Sequence, residues 1–423
     1  MTGTAVRQVA GWEALDSRGR PTVGCRVTLA GGGTGRVVVP SGKSTGGHEA
    51  HERRDGGARY GGFGARAAVA SVNGALAEVV TGLDAADRTG LDQAMVEADG
   101  DEQLANLGAN AVLAVSLAVL LALADQAREP LWRMLGPRQT VVLPRPMVNV
   151  ISGGAHAGGA LDLQDVLVVP AAPTFSEALE RCARVRAGTA QVLRRGGAWT
   201  DLVADEGGLA AGLPTNEAAL AAVTEGACAA GLEPGRHVSF ALDLAANQFY
   251  GDGRYNLRLE GESLDATAWT ERLAQWCERY ELISIEDVLH EDDWAGWSGA
   301  TRRLGDRRQV LGDDLFATNL SRLRRGISMG AANAVLVKPN QAGTVSRAEA
   351  VVREARQAGY ATVVSARSGD TEDHWLADLA VGWQAGQIKV GSTQRSERTA
   401  KWNRLLEIEA ELGPRAVLWA PGR

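Results

Sequence analysis

Residues 6–40 alternate apolar and polar side chains around two turn signals, DSRG and GGGTG. A period of two predicts strands of an antiparallel sheet. After a Gly-rich stretch at 41–47 the period lengthens, and residues 65–80 and 108–126 read as helices. Strands followed by helices predict an α+β unit over residues 1–134, with 135–140 as the linker. Over residues 141–423 short apolar runs alternate with helical stretches. The runs are 147–151, 166–169, 239–242, 282–285, 309–311, 334–337, 361–364 and 387–390. They predict repeated β/α units closing into an eight-stranded barrel, so the expected fold class is α/β, with an N-terminal α+β unit before the barrel. Active sites of such barrels sit at the C-terminal strand ends.

Those ends carry the candidate chemistry. FALD ends in Asp243, ISIED in Glu286 and Asp287, and QVLGDD in Asp313 and Asp314. AVLVK ends in Lys338, TVVSARS in Arg367 and Ser368, and GQIK in Lys389. One charge after an apolar run is ordinarily a solvated loop residue; six such strand ends in succession on one face are a site. Asp243, Glu286 and Asp313 would repel one another unless a cation sat between them. Oxygen ligands without Cys or His favour Mg²⁺ over zinc. Lys338 and Lys389 are expected on neighbouring strands, where like charge, a nearby cation and burial would together lower a lysine towards the range of a base. That suits proton abstraction next to a carboxylate.

Composition sharpens this. Of 44 basic residues only Lys43, Lys338, Lys389 and Lys401 are lysine. Arginine does not deprotonate in proteins, so a retained lysine marks a place where arginine will not serve. The net charge of −7 argues against nucleic acid. Residues 109–124, the longest apolar stretch, read as a buried helix rather than a membrane span. The first residues lack the plan of a signal peptide, and Cys25, Cys182, Cys228 and Cys277 form no CxxC pair. A reduced, cytoplasmic setting is expected. SGKST is not a P-loop, because Val37 stands where the motif needs glycine, and Gly31–Gly33 read as a hairpin turn.

The chain resembles enolase over nearly its whole length. The blocks LDSRGRPTV, SGKSTGGHEA, RDGGARYGG, LGANAVLAVSLA, SGGAHA, DEGGLAAGL, IEDVLHEDDWAGW, GDDLFATN, KPNQAGT, SARSGDTED and GQIKVGSTQRSERTAKWNRLL arrive in enolase order. The resemblance implies a capping domain followed by a TIM-like barrel. It makes Lys338 the general base and Glu206 the acid that assists departure of the β-hydroxyl. It assigns Asp243, Glu286 and Asp313 to a first magnesium. It gives Ser44 to a second magnesium that bridges the phosphate when the loop at 41–47 closes. Arg367 and Ser368 then bind phosphate, Lys389 meets the substrate carboxylate, and His156 lies against the substrate. A small phosphorylated or phosphonate acid as ligand, and a homodimer or ring of dimers, are also implied.

Departures from the family cluster on one side. Gln164-Asp165 replaces Gln-Glu after the second barrel strand, so the Asp165 carboxylate is withdrawn by one methylene. Ala366 replaces a histidine, Asn247-Gln248-Phe249 replaces Ser-Glu-Phe, and Pro339 follows the base. Lys43 enters a phosphate loop that usually carries alanine, as an extra cation for the substrate. The base and metal half is complete while the half that manages the hydroxyl has changed. The expectation is a specialised-metabolism paralogue, such as a carboxyphosphonoenolpyruvate synthase of phosphinate antibiotic pathways. The alternatives are housekeeping glycolytic enolase and a non-catalytic binding protein; the complete base, acid and carboxylate set disfavours the latter.

Overall fold

The computed structural model describes residues 3–43, 46–136 and 140–420. Three strands, β1 (Val6–Leu15), β2 (Pro21–Leu29) and β3 (Thr34–Val38), form an antiparallel meander. The predicted helix at 65–80 is bent: Gly74, at φ −109° and ψ −105°, interrupts it within a π-turn. Helix α1 (Arg88–Asp99) was not legible from periodicity, although Asp87 caps its first turn and Gly100 ends it at φ 76°. Helix α2 (Ala109–Ala127) is the apolar stretch read as a core helix, and 78% of its most apolar window is buried. The meander lies so close to α2 that a Cβ at Gly35 would sit 1.9 Å from the Ala118 carbonyl oxygen. Only glycine permits that approach.

The barrel strands are β4 (Arg145–Ser152), β5 (Asp165–Pro170), β6 (Val238–Asp243), β7 (Leu282–Glu286), β8 (Gln309–Gly312), β9 (Ala334–Val337), β10 (Ala361–Ser365) and β11 (Gln387–Gly391). They close in sequence order, each expected run matching one strand. Met147, Leu167, Val169, Ala241, Leu311, Ala334, Leu336 and Val363 fill the barrel interior. Helices between the strands start on caps the sequence supplies, such as Thr174, Thr215, Asp265, Asp293, Asn319 and Thr344.

Two expectations need correcting. Strand β5 runs antiparallel to both β4 and β6, with Asp165 opposite Ser152 and Asp243. Asp165 therefore opens its strand instead of following it, and reaches the mouth because the strand is reversed. Lys338 and Lys389 are not on neighbouring strands, since β10 lies between β9 and β11. The cap is seated on the same mouth. Ser41 pairs with Gly369 across an antiparallel bridge, and the Thr371 hydroxyl donates to the Val38 carbonyl at 3.1 Å.

Candidate active site

Asp243 and Glu286 end β6 and β7, and Asp313 follows β8; all three are buried. Lys389 donates from Nζ to Asp243 Oδ2 at 2.6 Å and to the two Glu286 oxygens at 2.8 and 2.7 Å. Lys338, immediately beyond β9, donates to Asp313 Oδ2. Gln164 donates to Asp243 Oδ2 at 3.0 Å, and Gln341 to Asp313 Oδ1 at 3.0 Å. Asp287 adopts φ 46° and turns its carboxylate back to accept the Asp313 and Asp314 amides, both at 2.9 Å.

Five carboxylates (Asp243, Glu286, Asp287, Asp313 and Asp314) are thus buried or nearly so, and the two lysines bond three of them, Asp243, Glu286 and Asp313. Burial, then the charge of Asp243, pushes Glu286 well above the ordinary carboxylate range. Burial also opposes the ionised Asp243, but Lys389 outweighs it and holds that carboxyl low. Burial and the Asp313 charge lift Asp314 to about 7. The two lysines leave negative charge over, so an all-oxygen donor set with this surplus fits a hard divalent cation.

The lysines do not behave as the sequence predicted. Burial favours a neutral Lys338, yet Asp313 overrides it and holds the amine above the ordinary lysine value. Lys389 is raised further, by Asp243 and Glu286, in spite of burial. A carboxylate at ion-pair distance outweighs desolvation as long as nothing else takes up its charge.

Across the mouth, His156 Nδ1 lies 3.0 Å from Asp165 Oδ2 and its Nε2 3.8 Å from Glu206 Oε1. Ser152 donates to the other Asp165 oxygen, and Asn149 donates to Glu206 Oε2 at 3.0 Å. Burial works against a charged His156, but Glu206 and Asp165 raise its pKa above the usual value. Gln248 donates to Gln164 Oε1 at 2.7 Å and accepts the Ala155 amide at 2.8 Å. It thereby ties the His156 loop to the Gln164–Asp243 contact, using a donor that a glutamate lacks.

At the third side, Arg367 donates to Glu49 Oε2 at 2.8 Å and Asn340 Oδ1 at 3.1 Å. Buried Arg398 donates to the Arg367 and Ser368 carbonyls, both at 2.6 Å, and so fixes that loop. Lys401 is committed to structure, donating to Asp370 Oδ1 at 2.6 Å. Lys43 does not stand at this side: its amine donates to Asp205 Oδ2 at 2.8 Å, beside Glu206. Ser44, expected as a metal and substrate ligand, lies outside the described residues.

The family model "Enolase, N-terminal domain" matches residues 6–135, and "Enolase, C-terminal TIM barrel domain" matches residues 140–420. The chain belongs to the enolase family. It is accordingly an enolase-superfamily lyase, from a magnesium-dependent family that acts on small phosphorylated carboxylates. Among the described residues, Asp287, Asp313 and Asp314 form one group with metal-ligating spacing, and His156, Asp165 and Glu206 another. Several groups of this enolase-family site escaped the sequence reading. Glu49 was inside a recognised block without a role, and Asn149 showed only as a polar residue interrupting an apolar run. Asp205 and Gln341, each next to or near an assigned residue, carried no signal of their own.

Proposed function

We propose that this enzyme takes the α-proton of a 2-phosphoglycerate- or phosphoenolpyruvate-type acid with Lys338 as base. Glu206 then serves the oxygen at the β-carbon, and the enzyme is a specialised paralogue of the carboxyphosphonoenolpyruvate synthase kind. Arg367 and Ser368 hold the phosphate, Lys389 faces the substrate carboxylate, and His156 and Asp165 line the oxygen side. Burial already favours a neutral Lys338, so offsetting the Asp313 charge releases the amine for proton abstraction. The C–H electron pair moves into the substrate, the β C–O bond breaks, and a proton from Glu206 leaves with the hydroxyl as water. Asp243, Glu286 and Asp313 would hold magnesium, which when bound supplies positive charge beside the carboxylate whose α-proton leaves.

The specialised reading is carried by Asp165. Both its oxygens are occupied, by Ser152 and His156, and burial is the main cause of its raised pKa. With alanine at 366, the oxygen side has a shorter carboxylate and one imidazole fewer than the family pattern. The complete base, acid and carboxylate set supports a second reading as ordinary glycolytic enolase. One assay separates them. Under the specialised reading the protein exchanges the α-proton of 2-phosphoglycerate but dehydrates it poorly. Joint Asp165→Glu and Ala366→His substitution then raises dehydration by more than the product of the single changes. Wild-type dehydration at ~10–100 s⁻¹ would return the protein to the glycolytic role.

A further inference from the structure

Lys43 is the lysine in this chain whose side chain stays substantially open to solvent, at 32% exposure, paired with Asp205 at 26%. Lys338, Lys389 and Lys401 are at 14%, 6% and 1%. The residue before it is seated on the phosphate side. A Cβ at Gly42 would fall 1.8 Å from Arg367 Nη2, and Arg18 Nη2 donates to the Ser41 and Gly42 carbonyls at 3.1 and 3.4 Å. The Ser41 amide donates to the Gly369 carbonyl at 2.7 Å.

Asp205, at the other end of the pair, belongs to the wall that carries Glu206. Its amide donates to the His156 carbonyl at 3.3 Å, and the Ser392 amide donates to the Glu206 carbonyl at 2.8 Å. Arg186 pins this wall, donating to the Gly207 carbonyl at 3.1 Å and to Ser392 Oγ at 3.0 Å. A single peptide step, from Gly42 to Lys43, therefore joins the backbone packed on Arg367 to the loop bearing Glu206.

We propose that Lys43 is a positioning residue: its ion pair with Asp205 couples the seating of the cap loop on Arg367 to the placement of Glu206. The inference rests on the role given to Glu206 above. Ion pairs as exposed as this are weak and salt-sensitive, so the contact opens and re-forms readily.

Two measurements on the full chain decide it. The first needs no turnover: hydrogen–deuterium exchange of Lys43→Ala, Asp205→Asn and the charge-swapped pair Lys43→Asp/Asp205→Lys. Each single change should speed exchange in peptides covering both 41–47 and 203–208, and the swap should slow it again. Unchanged rates in either peptide, or a swap no better than the single variants, would overturn the coupling. The second uses 2-phosphoglycerate with Mg²⁺. Each single variant should lose ~10-fold more dehydration than α-proton exchange, the lower end of what a residue orienting a functional group costs. The double variant Lys43→Ala/Asp205→Asn should lose no more than either single one. Equal loss of both reactions would show general damage and overturn the proposal. If wild type acts on 2-phosphoglycerate in neither way, the role proposed for Glu206 fails, and the exchange measurement still decides the coupling.

Discussion

Lys338 and Asp313 form a pair in which the carboxylate sets the state of the amine. Lys338→Arg keeps the positive charge beside Asp313 but supplies no proton acceptor. Solvent exchange of the substrate α-proton should fall by roughly 10²–10⁴-fold, the usual weight of a positioned acid–base group. Exchange at the wild-type rate in deuterated buffer would exclude Lys338 as base. Asp313→Asn removes one of the carboxylates that raise Glu286 and the partner that holds Lys338 protonated. Magnesium affinity by titration calorimetry should drop at least ~10-fold, because a charged oxygen ligand is lost where cation charge is needed. As long as no cation offsets the carboxylates, the two lysines are shifted the opposite way from the sequence expectation, for an identifiable reason. Lys338 and Lys389 were placed at the mouth by their motifs, but a sequence does not state whether the nearest carboxylate lies at 3 Å or 6 Å, and that distance decides the sign of the shift.

Among the elements, the barrel strands were legible because each is a short apolar run, and the six from FALD to GQIK also end in a charged or polar residue. The direction of β5 was not, since VLVV reads the same to periodicity whichever way it runs. Nor does the connection from Ser152 to Asp165 encode its reversal, because the dozen or so residues between them are as many as a crossover takes. In the cap, Glu13 on β1 accepts from the Arg59 guanidinium and, at 2.9 Å, from the Ala65 amide, which fastens the 59–65 segment to the sheet. The Arg59 hydrogen bond, against a smaller effect of burial, lowers Glu13 to about 2. A carboxyl depressed in the folded state stabilises above its unfolded pKa near ~4.3 and loses that contribution as pH falls through the folded value. Glu13→Gln should therefore lower urea stability between pH 5 and 7, with the gap to wild type closing as pH approaches ~2. A gap of constant size across that range would show that the pair does not act through its charge.

Over the whole molecule, the site belongs to neither unit alone. Glu49 of the cap holds Arg367 of the barrel, Gln341 donates both to Glu49 at 3.3 Å and to Asp313, and Lys43 reaches Asp205. The placement of the lysines has a practical consequence. Three ε-amines of this protein are locked into buried carboxylate or carbonyl contacts, and the arginines that replace lysine elsewhere do not react with activated esters. A mild N-hydroxysuccinimide reagent should therefore attach to one side chain, Lys43, besides the terminal amine, as read by peptide mass spectrometry of the native protein. Adducts at Lys338, Lys389 or Lys401 would mean those pairs open in solution. With Lys43 the one labelled side chain, a fluorophore could be carried at the rim of the mouth without introducing a cysteine, and the emission of that adduct would report on what enters.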